Sequence, residues 1–244
     1  MTTATSAHTT TLTQREEIAE GTMAFHFAKP ADFQFRAGQA VDITLLNPPE
    51  TDAEGNTRAF SIASAPSDSD LMIATRMRDS AFKRVLRSAN LPLEVKIEGP
   101  SGSFVLHRKA ERAGVFLAGG IGITPFLSII RQATHDRVPH QLYLFYGNRR
   151  PEDAAFLDTL TAIPSQNPNF HLIATMSEME KSHREWQGET GFIDKAMLTE
   201  HLPTLQGPIF YIAGPPAMVA AMRRMLTEAG VDEDDIRTEE FSGY

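Results

Sequence analysis

Short runs of alternating or uniformly apolar residues fill the first hundred positions, separated by turn-forming pieces. TTTLTQREEI, TMAFHFAKP, QAVDITLL, RAFSIAS, DLMIATRM and LEVKIEG predict six strands, and their spacing predicts a closed barrel or a sandwich. One helix-like piece, SAFKRVLRSA, lies between the last two, and NPPETDAEGNT (47–57), rich in turn formers and charge, reads as a surface loop. After HRKAERAG the pattern changes. The strands VFLAGG, HQLYLFYG, FHLIATMS and PIFYIAG now alternate with helical stretches PFLSIIRQAT, EDAAFLDTLTAI and PAMVAAMRRMLTEAG, which predicts a doubly wound domain with a parallel sheet. The expected division is residues 1–109 and 110–244, an antiparallel β domain followed by an α/β domain.

The segment VFLAGGIGITPFLSII, running from 115 to 130, reads as a buried strand, a glycine turn and a helix start. Gly119, Gly120 and Gly122 let the backbone turn sharply and approach a ligand, Thr124 is a candidate helix cap, and Pro125 suits a first helical turn. Such a turn offers N–H groups and a positive dipole end to a pyrophosphate, although glycine turns after strands also serve as plain connections.

Composition narrows the chemistry. With 244 residues, 41% of them hydrophobic, the chain can bury a proper core. The absence of cysteine excludes disulfides, thiolate metal sites, cysteine-ligated iron–sulfur clusters and a cysteine nucleophile, and the eight histidines are scattered, so no metal is expected. A net charge of −8 argues against general nucleic-acid binding. The polar start MTTATSAHTTTLT shows neither a secretory signal nor a membrane span, so a cytoplasmic protein is expected.

Five motifs occur in order: RAFSIASAP (58–66), GPSGSF (99–104), GGIGITP, YGNRRPED and YIAGPPAMV. Together with the change from β to α/β they resemble the ferredoxin:NADP reductase superfamily. The resemblance implies a Greek-key flavin barrel followed by a Rossmann-like nicotinamide domain, with FAD and NAD(P)H as cofactors. It further implies that Arg58 pairs with a flavin phosphate, that Phe60, beside Ala59, lies against the isoalloxazine, and that Ser61 sits near its N5 edge. Phe60 replaces the commoner tyrosine. Ser80, Phe82 and Lys83 would present N–H groups and a charge to the pyrophosphate. Gly99, Gly102 and Ser103 would form a turn beside the ring or the phosphates. In the second domain Gly119, Gly120, Gly122, Thr124 and Pro125, with Asn148 and Arg149, would hold the dinucleotide, and Gly214 and Pro215 would provide a turn by the nicotinamide. Ala213 stands where the family keeps a cysteine, which implies a slower hydride step. In the tail IRTEEFSGY, Glu239 would approach the flavin beside Ser61, with Phe241 or Tyr244 as the aromatic cover.

The resemblance implies hydride transfer between nicotinamide and flavin N5, with electrons passing to a ferredoxin or oxygenase-type partner. A flavin or quinone reductase with a small acceptor, a non-catalytic flavin-binding redox sensor and a plain α/β binding protein are the alternatives. Arg149 and Arg150 follow the second strand of the α/β region, where a 2′-phosphate would be read, but Glu178 after the third repels one. Lys181 and Arg184 partly offset it, and the balance leans to NADH. Arg76, Arg78, Lys83, Arg84 and Arg87 form a candidate docking surface for an acidic ferredoxin.

Overall fold

In the computed structural model, residues 6–241 are described. Six antiparallel strands form the first sheet: β1 (Ser6–Ala19), β2 (Thr22–Ala28), β3 (Ala40–Leu45), β4 (Thr57–Ser61), β5 (Asp70–Arg76) and β6 (Leu93–Ser101). Their order is β4-β3-β6-β1-β2-β5, a Greek-key arrangement in which the chain returns across the sheet. Beyond the end of β4, the Ala63 N–H donates to the Met72 carbonyl of β5 at 2.8 Å, so the sheet curls until its two edges meet. Inward positions of the alternating strands, including Phe25, Phe27, Val41, Ile43, Val95 and Ile97, fill the interior. The helix α1 (Ala81–Ser88) plugs one side with Phe82, Val85 and Leu86.

The second sheet is wholly parallel: β7 (Gly114–Gly119), β8 (Leu142–Asn148), β9 (Phe170–Met176), β10 (Glu189–Thr190), β11 (Ile209–Gly214) and β12 (Ile236–Glu240), in the order β10-β9-β8-β7-β11-β12. Strands β7 and β11 are buried along their whole length, as continuous apolar runs in a doubly covered sheet should be. The helices α2 (Ile123–Asp136), α3 (Leu157–Ala162), α4 (Lys195–His201) and α5 (Pro216–Glu228) connect them, and two apolar clusters cover the two faces. From β7 the chain moves outward through β8, β9 and β10, then returns to the other side of β7 as β11. The strand order therefore reverses between β7 and β11, and a crevice opens at the carboxyl ends of those strands, where open α/β sheets bind ligands.

Several local features differ from the sequence expectations. The helix expected across EDAAFLDTLTAI shrinks to α3, because Pro151–Asp153 forms a 3-10 turn and Phe156 adopts a left-handed φ of 60°. Thr124 does not cap α2. Its hydroxyl donates back to the Ile121 carbonyl at 3.1 Å, and Gly122 occupies the cap position. Helix α4, capped by the Asp194 carboxylate on the Met197 N–H, and strands β10 and β12 were not anticipated, since each is only two to seven residues long. Among the described residues no helix is long and apolar enough to cross a membrane.

Candidate active site

The two sheets meet along a seam that brings the motifs together. Ala40 of β3 is the register partner of both Ser61 and Ser101, so the RAFS strand and the GPSGSF turn lie side by side. Gln39 ties them further: its amide donates to the Gly102 carbonyl at 3.1 Å, and its own carbonyl accepts the Ile62 N–H. Across the seam the buried Ser61 hydroxyl donates to a Glu239 carboxylate oxygen at 3.0 Å. Glu239 arrives there because β12 pairs with β11, with Glu239 beside Ala213 and Ala213 beside Ala118. The Phe241 N–H donates to the Gly214 carbonyl at 3.0 Å and fixes the tail. Tyr244 lies outside the described residues.

Glu239 is chemically unusual. Its second carboxylate oxygen is buried with no hydrogen-bond partner, and burial pushes its pKa up, with the Ser61 hydroxyl pulling partly back. A carboxyl in that state can hold a proton, or accept a bond from a group placed against it.

The glycine turn after β7 is built by close backbone packing. A Cβ on Gly122 would lie 2.3 Å from the Ala213 carbonyl oxygen and 2.8 Å from the Gly214 nitrogen. One on Gly119 would lie 2.3 Å from the Met218 sulfur. Both glycines therefore let the turn press on the end of β11 and the start of α5, before any ligand is considered. Pro125 and Thr124 are buried behind this turn, so they support it from within.

Beside the turn is a cavity of about 220 Å³ lined by Gly119, Gly120, Asn148, Arg149 and Pro215, all expected there. Arg76, Gly147, Ser177, Gly191, Phe192, Ile193, Met218 and Met222 also line it and were not assigned to it from sequence. Only Phe192 carried a readable signal, as an aromatic after a glycine, and it is 82% exposed. Both polar atoms of the Asn148 amide are buried without a partner. Arg149 is exposed, 3.9 Å from Glu178, which also pairs with Lys181 at 2.7 Å. Those partners, Lys181 first, hold the Glu178 carboxyl below its usual range. Arg150 turns away to Asp153 and Glu20, and Arg184 lines a separate cavity with Glu16 and Glu152.

The barrel's candidate phosphate group is also assembled. Arg58 lies 5.4 Å over the Phe82 ring, and Phe82 lies 5.9 Å from Phe60. Ser80 caps α1, its hydroxyl accepting the Lys83 N–H at 3.3 Å. The Lys83 ammonium donates to the Arg76 carbonyl at 2.6 Å, and burial lowers its pKa, with Arg78 and Arg58 adding to the effect. Phe82 itself is buried in the barrel core, Ala59 and Ser103 are exposed, and Gly99 packs against Val41. Of the candidate docking residues, Arg84 is paired with Glu50 and Asp79, whereas Arg78 and Arg87 are exposed.

Donors and acceptors of this set fit a flavin and a nicotinamide dinucleotide. A cation and helix amides suit a diphosphate, the orphaned Glu239 oxygen and Ser61 suit a polar ring edge, and the orphaned Asn148 amide suits a nucleotide.

Residues 116–224 match the family of oxidoreductase NAD-binding domains. A glycine betaine monooxygenase reductase subunit of Chromohalobacter salexigens is 29% identical over 225 residues, 90% of this chain and 60% of that protein. The chain spans between 37% and 60% of the length of the first curated relatives it matches. The Amycolatopsis cytochrome P450 reductase GcoB has the same fold, with a TM-score of 0.82 at 24% identity over 97% of this chain and 70% of that one. A ferredoxin NADP+ reductase from Neisseria gonorrhoeae, solved with bound FAD and NADP, gives 0.77 at 19% identity over 96% and 98%.

Proposed function

We propose that this chain is a member of the ferredoxin:NADP reductase superfamily that takes hydride from a nicotinamide dinucleotide onto FAD and passes electrons to a separate oxygenase-type or ferredoxin-like acceptor. The observation that carries this reading is the Ser61–Glu239 bond across the seam, beside the crevice where the parallel sheet reverses its order. It joins a motif of each domain at one point.

When bound, FAD would accept two electrons with a hydride and release them singly or in pairs. The residues supply the setting. Arg58 and the start of α1 would hold the flavin phosphates, and the seam between Ser61 and Gly102 would seat the ring. Glu239, kept protonated by burial over part of the acid range, would hold a proton at its free carboxyl oxygen, with Ser61 fixing its orientation. The turn of Gly119, Gly120 and Gly122 would receive the dinucleotide, the Asn148 amide would bond it, and the Phe192 ring would offer a face to its base. Ala213 would leave the nicotinamide floor without the family's sulfur, which lowers the rate of transfer without removing it.

We assign NADH as the preferred donor. Glu178, ionised and held by two cations, accepts a ribose hydroxyl and repels a 2′-phosphate. The chain has no cysteine to ligate an iron–sulfur cluster, so the next carrier lies outside these 244 residues. We place the protein in the cytoplasm, where the nicotinamide pool is.

The test is an anaerobic absorption spectrum with FAD, before and after NADH and, separately, NADPH. Bleaching that is faster with NADH supports the flavin, the hydride step and the choice of donor. Bound flavin that stays oxidised with both donors points to a sensor, and no bound flavin refutes the reading.

A further inference from the structure

The loop between β3 and β4, residues 46–56, fills donors that a flavin diphosphate would need. Arg58 spends one terminal nitrogen on the carbonyls of Glu54, Gly55 and Thr57, at 2.8, 3.1 and 2.8 Å. Its other terminal nitrogen donates to the carboxylates of Glu54 at 2.8 Å and Asp52 at 3.4 Å. The second oxygen of Asp52 accepts the N–H of Ala81, the first residue of α1, at 2.8 Å. Glu50 is gripped by the Arg84 guanidinium at 2.7 and 3.1 Å, further along the same helix. A carboxylate bridging an arginine and a helix amide is the arrangement a phosphate oxygen adopts at such a place.

The loop is a strap tied down by polar contacts rather than by a core. Its stem is closed by the Leu45 N–H on the Asn56 carbonyl at 2.9 Å and the Asn56 amide on the Leu45 carbonyl at 2.9 Å. Left-handed residues mark its two ends, Asn47 at φ 47° and Gly55 at φ 75°, and nothing lies within 4 Å of the Gly55 Cβ position. Between them Asp52 and Glu54 are held only by polar contacts that water can replace. The Asp52 carboxyl is kept below its ordinary range first by the Ala81 N–H, so it carries full charge at neutral pH.

We propose that this strap is an internal anion which competes with the flavin diphosphate: Asp52 and Glu54 occupy the Arg58 and α1 cradle in the flavin-free chain and leave it when FAD binds. The inference rests on the flavin reading above. Two anions cannot share the same donors, because their charges repel and both terminal nitrogens of Arg58 are already bonded to the loop. The apparent affinity for FAD is then its intrinsic affinity reduced by the fraction of chains with the strap open. FAD becomes an exchangeable cofactor, and the flavin-free protein keeps a neutralised, folded cradle.

The experiment compares the full chain with Glu54→Gln and with Asp52→Asn/Glu54→Gln. FAD and riboflavin are titrated by flavin fluorescence, FAD release is timed, and thermal unfolding verifies folding. The expected result is FAD binding roughly tenfold tighter in the double variant and about threefold tighter in Glu54→Gln, with slower release and riboflavin affinity unchanged. Glu54→Gln keeps the Asp52 bond to α1, so it reports even if the double variant unfolds. In the unaltered protein, amide exchange in 46–56 should quicken on adding FAD. FAD affinity that is unchanged or weaker in the variants, or riboflavin tightening equally, overturns the strap while leaving the flavin reading intact. Absence of FAD binding in all three proteins refutes the flavin reading, and the strap with it.

Discussion

The chain carries two candidate phosphate cradles made in opposite ways. In the α/β region the turn itself is backbone: the glycines after β7 pack directly on the Ala213–Gly214 peptide and on Met218, with Arg76 and Arg149 only lining the cavity beside it. In the barrel it is charge: Arg58 and the first amide of α1 are already bonded to Asp52 and Glu54. A backbone cradle has one shape and fails by steric overlap. A charged cradle adapts, is screened by salt, and can be filled from within. Substitutions should therefore act abruptly in the first and by degrees in the second.

Gly122→Ala should break the comparison most sharply. The added methyl would fall 2.3 Å from one backbone atom and 2.5 Å from another, neither of which can swing aside as a side chain can. Overpacking of this kind costs about 3 kcal/mol. We expect the unfolding free energy in urea to drop by about that amount, and NADH affinity by roughly a hundredfold, the equivalent of about 2.7 kcal/mol. A variant that binds NADH normally would show that the turn tolerates bulk, and the distinction between the cradles would fall.

Arg58→Ala should come next and be gentler. The hydrogen bonds of a guanidinium to an ionised acceptor contribute about 1.5–3 kcal/mol, so FAD should bind roughly ten- to a hundredfold more weakly. Part of that loss is offset because the strap is released as well. Rising salt should weaken FAD binding in the unaltered protein and much less in the variant, as measured by titration at several ionic strengths.

How far each cradle was legible in the sequence follows from the same contrast. The two sheets and the glycine turn could be read because period-two runs, continuous apolar strands and Gly119, Gly120 and Gly122 each leave a local signature. The resemblance also pointed to Ser61 and Glu239, which are 178 positions apart and meet only through the pairing of β12 with β11. What stayed hidden was set by packing across the chain. The candidate nucleotide cavity draws on Arg76 from the barrel and Met218 and Met222 from α5, ordinary residues whose placement depends on how the sheets meet. The acidic loop looked like a solvated surface, and nothing local shows that Asp52 reaches the Ala81 amide 29 positions on. Short elements such as α4 and β10 left too few residues for a period to show.

The seam between the cradles gives a third, intermediate effect. Glu239→Gln or Ser61→Ala should slow flavin bleaching by NADH about tenfold in stopped-flow traces, less than the roughly hundredfold or more lost when a group that transfers the reacting proton is removed. Stability should respond to pH in a defined direction. Burial raises the Glu239 pKa in the folded chain, so over a window above the ordinary carboxylate value the folded chain retains a proton that the unfolded chain has lost. Its stabilising contribution is complete below the unfolded pKa and declines as pH rises through the raised folded value. Glu239→Gln should remove that decline from urea midpoints measured across the acid range, and an unaltered profile would place Glu239 in water.

The smallest effect tests whether charge plays any part in the backbone cradle. Glu178 lies beyond the glycine turn, one residue after the cavity-lining Ser177, and its carboxylate draws Arg149 and Lys181 toward itself. Replacing it with glutamine removes the negative charge and frees both cations, while a ribose hydroxyl can still be bonded. NADPH should gain a few-fold in kcat/KM and NADH should change by less, because the surrounding groups are exposed and exposed pairs contribute at most about 1 kcal/mol. If the preference between the two donors does not move, the 2′ position of the nucleotide lies elsewhere. If NADPH gains a hundredfold, the α/β cradle is as electrostatic as the barrel's, and the contrast between them lies only in which one the chain fills by itself.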